Sequence, residues 1–117
     1  MQTIILDTNF LVYLLEFKID LFSELNRITP SGYKIKILDK TLKELKKLSE
    51  KNLYAKIALL LINKFEIIPT DSTQSVDDIL VSLVIPNLII GTQDRALKKR
   101  LNCSKLVIRQ KKYLEII

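Results

Sequence analysis

Asp7 in ILDTNFL, Glu44 in TLKEL, Asp77 and Asp78 in SVDDIL and Asp94 in IIGTQDRAL each stand at the end of an apolar run or near the start of a helical one. Carboxylates gathered at strand ends and helix starts are the simplest way to hold a divalent cation over a phosphodiester, because hard oxygen donors suit Mg²⁺ or Mn²⁺. No other chemistry competes. The chain has no His, which removes imidazole bases, imidazole metal ligands and Ser-His-Asp triads together. Cys103 is its only cysteine, so an internal disulfide and a thiolate zinc cluster are excluded, and a reducing compartment fits. Its expected role is that of a small packed apolar group.

Each acid also has an ordinary explanation. Asp7, ahead of Thr8 and Asn9, could cap a following helix, and Asp94 could cap the helix opening RALKKRL. Thr41 and Glu44 match the S/T-x-x-E capping box, and Ser75 with Asp78 nearly matches it. The joint pattern favours more than capping. All the clusters fall at one edge of the sheet derived below, and like charges crowded there repel unless a cation is present. Helical phase separates the neighbouring pair: Val76, Ile79, Leu80 and Leu83 define a face with Asp77 on its border, while Asp78 points further toward solvent. Asp77 is therefore the expected ligand and Asp78 a supporting or capping group.

The elements that must position these acids follow from periodicity. TIIL at 3–6, KIKIL at 34–38, FEIIP at 65–69, NLIIG at 87–91 and KLVIR at 105–109 are β-rich apolar runs of the kind buried on both sheet faces. Between them run helical patterns: Phe10, Leu11, Leu14 and Leu15; Leu21, Phe22, Leu25 and Ile28, ended by Pro30 to Gly32; Leu42, Leu45 and Leu48; Leu53, Ile57, Leu60 and Leu61. The two patterns at 40–50 and 53–63 predict a helical hairpin. The polar stretch TDSTQ leads into a helix with Val76, Ile79, Leu80, Leu83 and Val84 on one face, and a basic helix spans about 93–101. Strands alternating with helices predict an α/β fold with parallel crossovers, whose ligands gather beyond the strand C-termini at a reversal of strand order. Asp7 and Asp94 share one crevice if the first and fourth strands are neighbours.

A length of 117 residues fits one domain, 1–117, and no apolar run approaches a membrane span. The start MQTIILDTNF lacks the features of a signal peptide, which with the lone cysteine predicts a cytoplasmic location. Lys and Arg outnumber Asp and Glu by 19 to 13, for a net charge of +6. The excess falls late, in Lys98, Lys99, Arg100, Lys105, Arg109, Lys111 and Lys112, where it could neutralise a nucleic-acid backbone. Ordinary solvated helix and loop charges explain it equally well.

DTNFL after the first strand, the acid in TLKEL, VDDILV at a helix start and TQDRALKKRL after a late strand resemble, in order, the successive acidic motifs of the PIN-domain nucleases. The resemblance covers essentially the whole chain, and the closing LVIRQKKYLEI is similar to archaeal members near the VapC-type toxins and the PIN proteins that process ribosomal RNA. It implies a three-layer sandwich around a mostly parallel five-stranded sheet, and metal-dependent endonucleolytic cleavage of RNA with Mg²⁺ or Mn²⁺ as cofactor. Asp7, Glu44, Asp77 and Asp94 would be the catalytic, metal-binding quartet, with Asp78 as an accessory ligand. Thr8, Asn9, Thr92 and Arg95 would position substrate, and Lys98, Arg109, Lys111 and Lys112 would guide the RNA backbone. Gln93 departs from the Asn or Arg that many relatives carry before the late acid.

A toxin would have an antitoxin protein as partner; a housekeeping enzyme would act on a ribosomal precursor particle; a homodimer is compatible with either. The competing reading is a noncatalytic RNA-binding or scaffold module that keeps the fold. A receiver-like signalling domain also places an Asp after its first strand, but the chain has no obvious phospho-acceptor Asp ending a middle strand.

Overall fold

In the computed structural model, which describes residues 1–70 and 73–117, strands and helices alternate along the chain. The elements are β1 (Gln2–Leu6), α1 (Thr8–Glu16), α2 (Leu21–Ile28), β2 (Tyr33–Leu38), α3 (Asp39–Leu48), α4 (Leu53–Leu61) with a 3₁₀ turn at Ile62–Lys64, and β3 (Glu66–Ile68). They continue with α5 (Val76–Ser82), β4 (Leu88–Gly91), α6 (Arg95–Arg100), β5 (Ser104–Arg109) and β6 (Tyr113–Ile116). Two residues of the TDSTQ stretch lie outside the described residues.

The sheet has six strands in the order β3-β2-β1-β4-β5-β6, parallel except for the antiparallel β5–β6 pair. Alternation along β1 explains its three layers. Ile4 and Leu6 face one core with α1 to α4, while Ile5 faces a second core with Ile79 and Leu80 of α5 and Leu97 of α6. The apolar run Ile4–Leu6 is thus buried on both sides, as parallel sheets require. The expected hairpin of α3 and α4 forms, with Leu45, Ala55 and Ala58 in the first core.

β1 and β4 are neighbours, and strand order reverses between them. Their junction depends on Gly91: a Cβ there would stand 2.7 Å from Leu6 Cδ2 and 3.3 Å from the Phe10 ring. The missing side chain lets the start of α1 close onto the end of β4, and the Asp7 amide donates to the Gly91 carbonyl at 2.9 Å.

Three expectations need correction. The sheet gains a sixth strand, β6, because residues 110–112 form a tight turn after β5. The turn's Lys112 amide donates to the Arg109 carbonyl at 3.0 Å, and Gln110 and Lys111 both take left-handed backbone with φ of 53° and 56°. α5 ends at Ser82, so Val84 is 95% exposed rather than on the helix face; Pro86 disfavours helical backbone at the residue before it and supplies no amide donor. The Thr41–Glu44 capping box does not form, since α3 starts at Asp39 with no side-chain cap and Thr41 is buried within the first turn.

The Ile108–Leu114 pair of the β5–β6 hairpin is fastened from both flanks by side chains. In an antiparallel ladder, alternate residue pairs turn their backbone groups outward, away from each other. β4 has already ended on one flank, and there the Gln93 amide takes over: its Oε1 accepts from the Ile108 amide at 2.8 Å and its Nε2 donates to the Ile108 carbonyl at 3.3 Å. On the other flank Glu24 Oε1 accepts from the Leu114 amide at 2.8 Å and Arg27 donates to the Leu114 carbonyl at 2.8 Å.

Candidate active site

Asp7 leaves β1 as the N-cap of α1, its Oδ1 accepting from the Thr8 amide at 2.8 Å. Its Oδ2 accepts from the hydroxyl of Thr92, a fully buried residue one position past β4, at 3.1 Å. The same hydroxyl oxygen accepts from the Asp94 amide at 3.1 Å, and Asp94 Oδ1 caps α6 through the Leu97 amide at 3.1 Å. Thr92 therefore ties the first and last acids together across the strand reversal. Asp7, Asn9, Tyr13, Gln93 and Asp94 line a small cleft of about 170 Å³ there.

Burial pushes the Asp7 carboxyl above its ordinary range, the bonds from Thr8 and Thr92 oppose this, and the charges of Asp77 and Glu44 push it up further. These two acids from α5 and α3 therefore act on Asp7 through space. Ser75 caps α5 by accepting from the Asp78 amide at 3.1 Å, as the sequence suggested. The Asp78 carboxylate turns away to the Arg100 guanidinium at 2.6 Å, which holds its pKa below the usual value. The Asp78 carboxylate is thus turned to α6, while the Asp77 charge acts on Asp7.

The donors suit a hard cation, since every candidate ligand is an oxygen. Among the described residues, however, no three acidic side chains close into a cage. Mg²⁺ fits such an open set, because it keeps several waters and takes one or two carboxylates directly. Thr8, expected to face substrate, is 2% exposed and does not line the cleft. Its Oγ1 is the one buried side-chain oxygen without a hydrogen-bond partner among the described residues.

The late basic residues do not form one surface. Arg95, Lys98, Lys99, Lys105 and Arg109 line a groove of about 470 Å³ together with Ile117. Arg109 is partly neutralised by Glu115 at 2.7 Å, and Arg100 is taken by Asp78. Lys111 sits on the hairpin turn with its ammonium 5.6 Å from the centre of the Phe17 ring, and Lys112 is exposed on the same turn. A further cavity of about 520 Å³ lies at the other end of β4, lined by Leu83, Leu88 and Asn102 to Ser104 among others, with no carboxylate in its walls.

Sequence reasoning passed over two residues. Asp39 follows β2 as Asp7 follows β1, and its carboxylate accepts from the Thr70 hydroxyl at 2.6 Å and amide at 3.0 Å, tying the ends of β2 and β3. An acid directly after KIKIL was the available signal. Tyr13 lies off the apolar stripe of α1, and its place four residues before Phe17 was the clue to an exposed aromatic pair.

A family model described as a PIN-like domain matches residues 4–111. The chain belongs to the PIN-like domain family. It is 32% identical over 127 residues to Ribonuclease VapC4 of Methanocaldococcus jannaschii, spanning 99% of this chain and 97% of that protein. Its fold is similar to that of the PIN domain endonuclease Utp24, with a TM-score of 0.82 and 28% identity over 97% of this chain and 90% of the other. VapBC2 from Rickettsia felis, solved bound to a DNA fragment from its promoter, shares the PIN fold at 17% identity and a TM-score of 0.56, covering 89% of this chain and 98% of that one.

Proposed function

We propose that this PIN-domain protein is an endoribonuclease that hydrolyses RNA phosphodiesters with Mg²⁺ or Mn²⁺. The observation that carries the reading is the Thr92 bridge, which holds Asp7 and Asp94 on one cleft wall while Asp77 and Glu44 direct their charge at Asp7. The names of its relatives, a ribonuclease and a PIN domain endonuclease, support the same chemistry. Asp7, Glu44, Asp77 and Asp94 are the residues to hold the ion, with Asn9 on the cleft rim. When bound, the ion lowers the pKa of a water and offsets charge on the scissile phosphate.

This chain's residues do the rest. The Thr8 amide and the Thr92 hydroxyl fix both oxygens of Asp7, so that its carboxylate is oriented before substrate arrives. Asp94 has one oxygen committed to the Leu97 amide, and the other can accept a proton from, or orient, the attacking water. Arg95 and Lys98, on the groove beside α6, attract the RNA backbone. The lone thiol and the absence, among the described residues, of a helix long and apolar enough to cross a membrane fit work on RNA in the cytoplasm.

Both physiological settings, a VapC-type toxin held by an antitoxin protein and a nuclease maturing ribosomal RNA in a precursor particle, use this chemistry. Growth arrest on expression, relieved by a co-expressed antitoxin, marks the first; accumulation of uncut ribosomal precursor on depletion marks the second. The competing reading is a noncatalytic RNA-binding module that keeps the fold. The deciding experiment incubates purified protein with mixed single-stranded and structured RNA in Mg²⁺, Mn²⁺ or chelator. Cleavage that requires metal and disappears in Asp7→Asn, with the fold intact by circular dichroism, is expected; binding without cleavage in either metal defeats the nuclease reading.

A further inference from the structure

Tyr13 belongs to two depressions at once. It lines the acidic cleft with Asp7 and Asp94, and it lines an adjoining groove of about 390 Å³ with Phe17, Gln93, Ile108, Gln110 and Lys111. Helix α1 buries Phe10, Leu11, Val12 and Leu14 in the core, yet keeps the Tyr13 ring 37% exposed. That ring stacks on Phe17, one helical turn later, with centroids 5.6 Å apart and planes within 2° of parallel. The two rings, stacked in parallel and offset, therefore make a stepped aromatic shelf whose near end, Tyr13, touches the acidic cleft. At its far end the Lys111 ammonium lies over Phe17.

The turn beside the shelf is unusual in its residue types. Gln110 and Lys111 both hold left-handed backbone, where Gly or Asn would be less strained. Strain kept by residues that line a groove points from backbone to function. Here it presents a cation and an amide beside a stacked aromatic pair, next to a cleft suited to a phosphodiester. This combination of an aromatic face and a flanking cation is how proteins hold unpaired bases, because every base has a π-face and every nucleotide a phosphate.

Resting on the endoribonuclease reading, we propose that Tyr13 is a positioning residue: an unpaired nucleobase beside the scissile phosphate stacks on the Tyr13–Phe17 shelf, and Lys111 contacts the adjoining backbone. The subsite selects single strands over duplexes, since a base in a helix already has both faces covered. It reads sequence weakly. One amide on its wall, that of Gln93, is committed on both sides to the Ile108 backbone.

The test measures binding of short RNAs carrying 2-aminopurine, single-stranded or as the matching duplex, with Ca²⁺ in place of the catalytic metal. Tyr13→Leu keeps apolar bulk against Phe17 but removes the π-face. It is expected to weaken single-strand binding at least about fivefold, to abolish the 2-aminopurine quenching, and to leave duplex binding and the salt dependence unchanged. Tyr13→Trp should retain both binding and quenching. Single-strand binding by Tyr13→Leu equal to that of the parent, equal losses for strand and duplex, or a parent that binds no RNA each overturns the subsite. The nuclease reading is tested separately by cleavage in Mg²⁺ or Mn²⁺. A parent that binds single strands through Tyr13 but never cuts defeats that reading alone, whereas a cutting enzyme indifferent to Tyr13→Leu defeats only the shelf.

Discussion

Replacing Gln93 by Ala removes both hydrogen bonds that continue the sheet beyond Gly91. The Ile108 residue they serve is 7% exposed, so its amide and carbonyl gain little from water once the side chain is gone. A net hydrogen bond stabilises by about 1 kcal/mol, and a buried amide left without a partner costs about 1–3 kcal/mol. The 2.8 Å bond to the amide is the stronger of the two and the 3.3 Å bond the weaker. The expected loss is therefore about 2 kcal/mol, a fall in Tm on the order of 8 °C for a domain of this size. Urea denaturation followed by circular dichroism measures it. Gln93→Glu sharpens the reasoning, because a carboxylate keeps the acceptor for the Ile108 amide but faces the Ile108 carbonyl without a proton. Its folded-state pKa should rise, so the variant regains stability as pH falls toward the unfolded value and loses it as pH climbs through the folded one. A Gln93→Ala protein within 0.5 kcal/mol of the parent, but impaired in RNA cleavage, would refute this account and make the amide a substrate contact.

Two further outcomes follow from the acids. Asp77→Asn should reduce cleavage far more than Asp78→Asn at saturating metal, because the Asp77 charge acts on Asp7 while the Asp78 carboxylate is taken by Arg100; equal or reversed losses would place the ligand on Asp78. The Arg27 guanidinium, with help from the Leu114 amide, holds the Glu24 pKa below its ordinary 4.5. The contact thus contributes stability that is present above pH 4.5 and is lost as pH falls through the lower folded value. Hydrogen exchange at the Leu114 amide, corrected for intrinsic rates, should rise on acidification before that of Ile90 in the sheet centre; simultaneous loss of protection would show the latch to be energetically silent.

Much of the fold was legible because its strands are apolar at successive positions, and a parallel sheet covered on both faces demands that pattern. The acids were legible for a related reason. Asp7 and Asp94 end or follow such runs, and neighbouring strands bring them together without any further information. β6 was not legible, since hairpin turns are ordinarily announced by Asn-Gly or Asp-Gly, and Gln110-Lys111 carries neither. The division of the basic residues was hidden for a different cause: charge runs are local in sequence, whereas the turn after β5 sends Lys111 to the groove beside Phe17 and leaves Lys105 and Arg109 on the groove beside α6. The capping alternative for Glu44 rested on the spacing of Thr41 and Glu44, and it fails because the helix begins two residues before Thr41.

The paired latches on Ile108 and Leu114 have a consequence for assembly. A sheet can recruit a strand from another chain only where a row of outward amides and carbonyls stands open, and on β6 those groups alternate. Leu114 is already taken by Glu24 and Arg27, which leaves at most Ile116 at the next outward position, too little for a ladder. The opposite margin, β3, is only three residues long. Neither border of the sheet therefore offers a foreign strand a long ladder. Exposed apolar side chains lie elsewhere, as on α4, where Leu53 is 66% and Leu60 70% exposed.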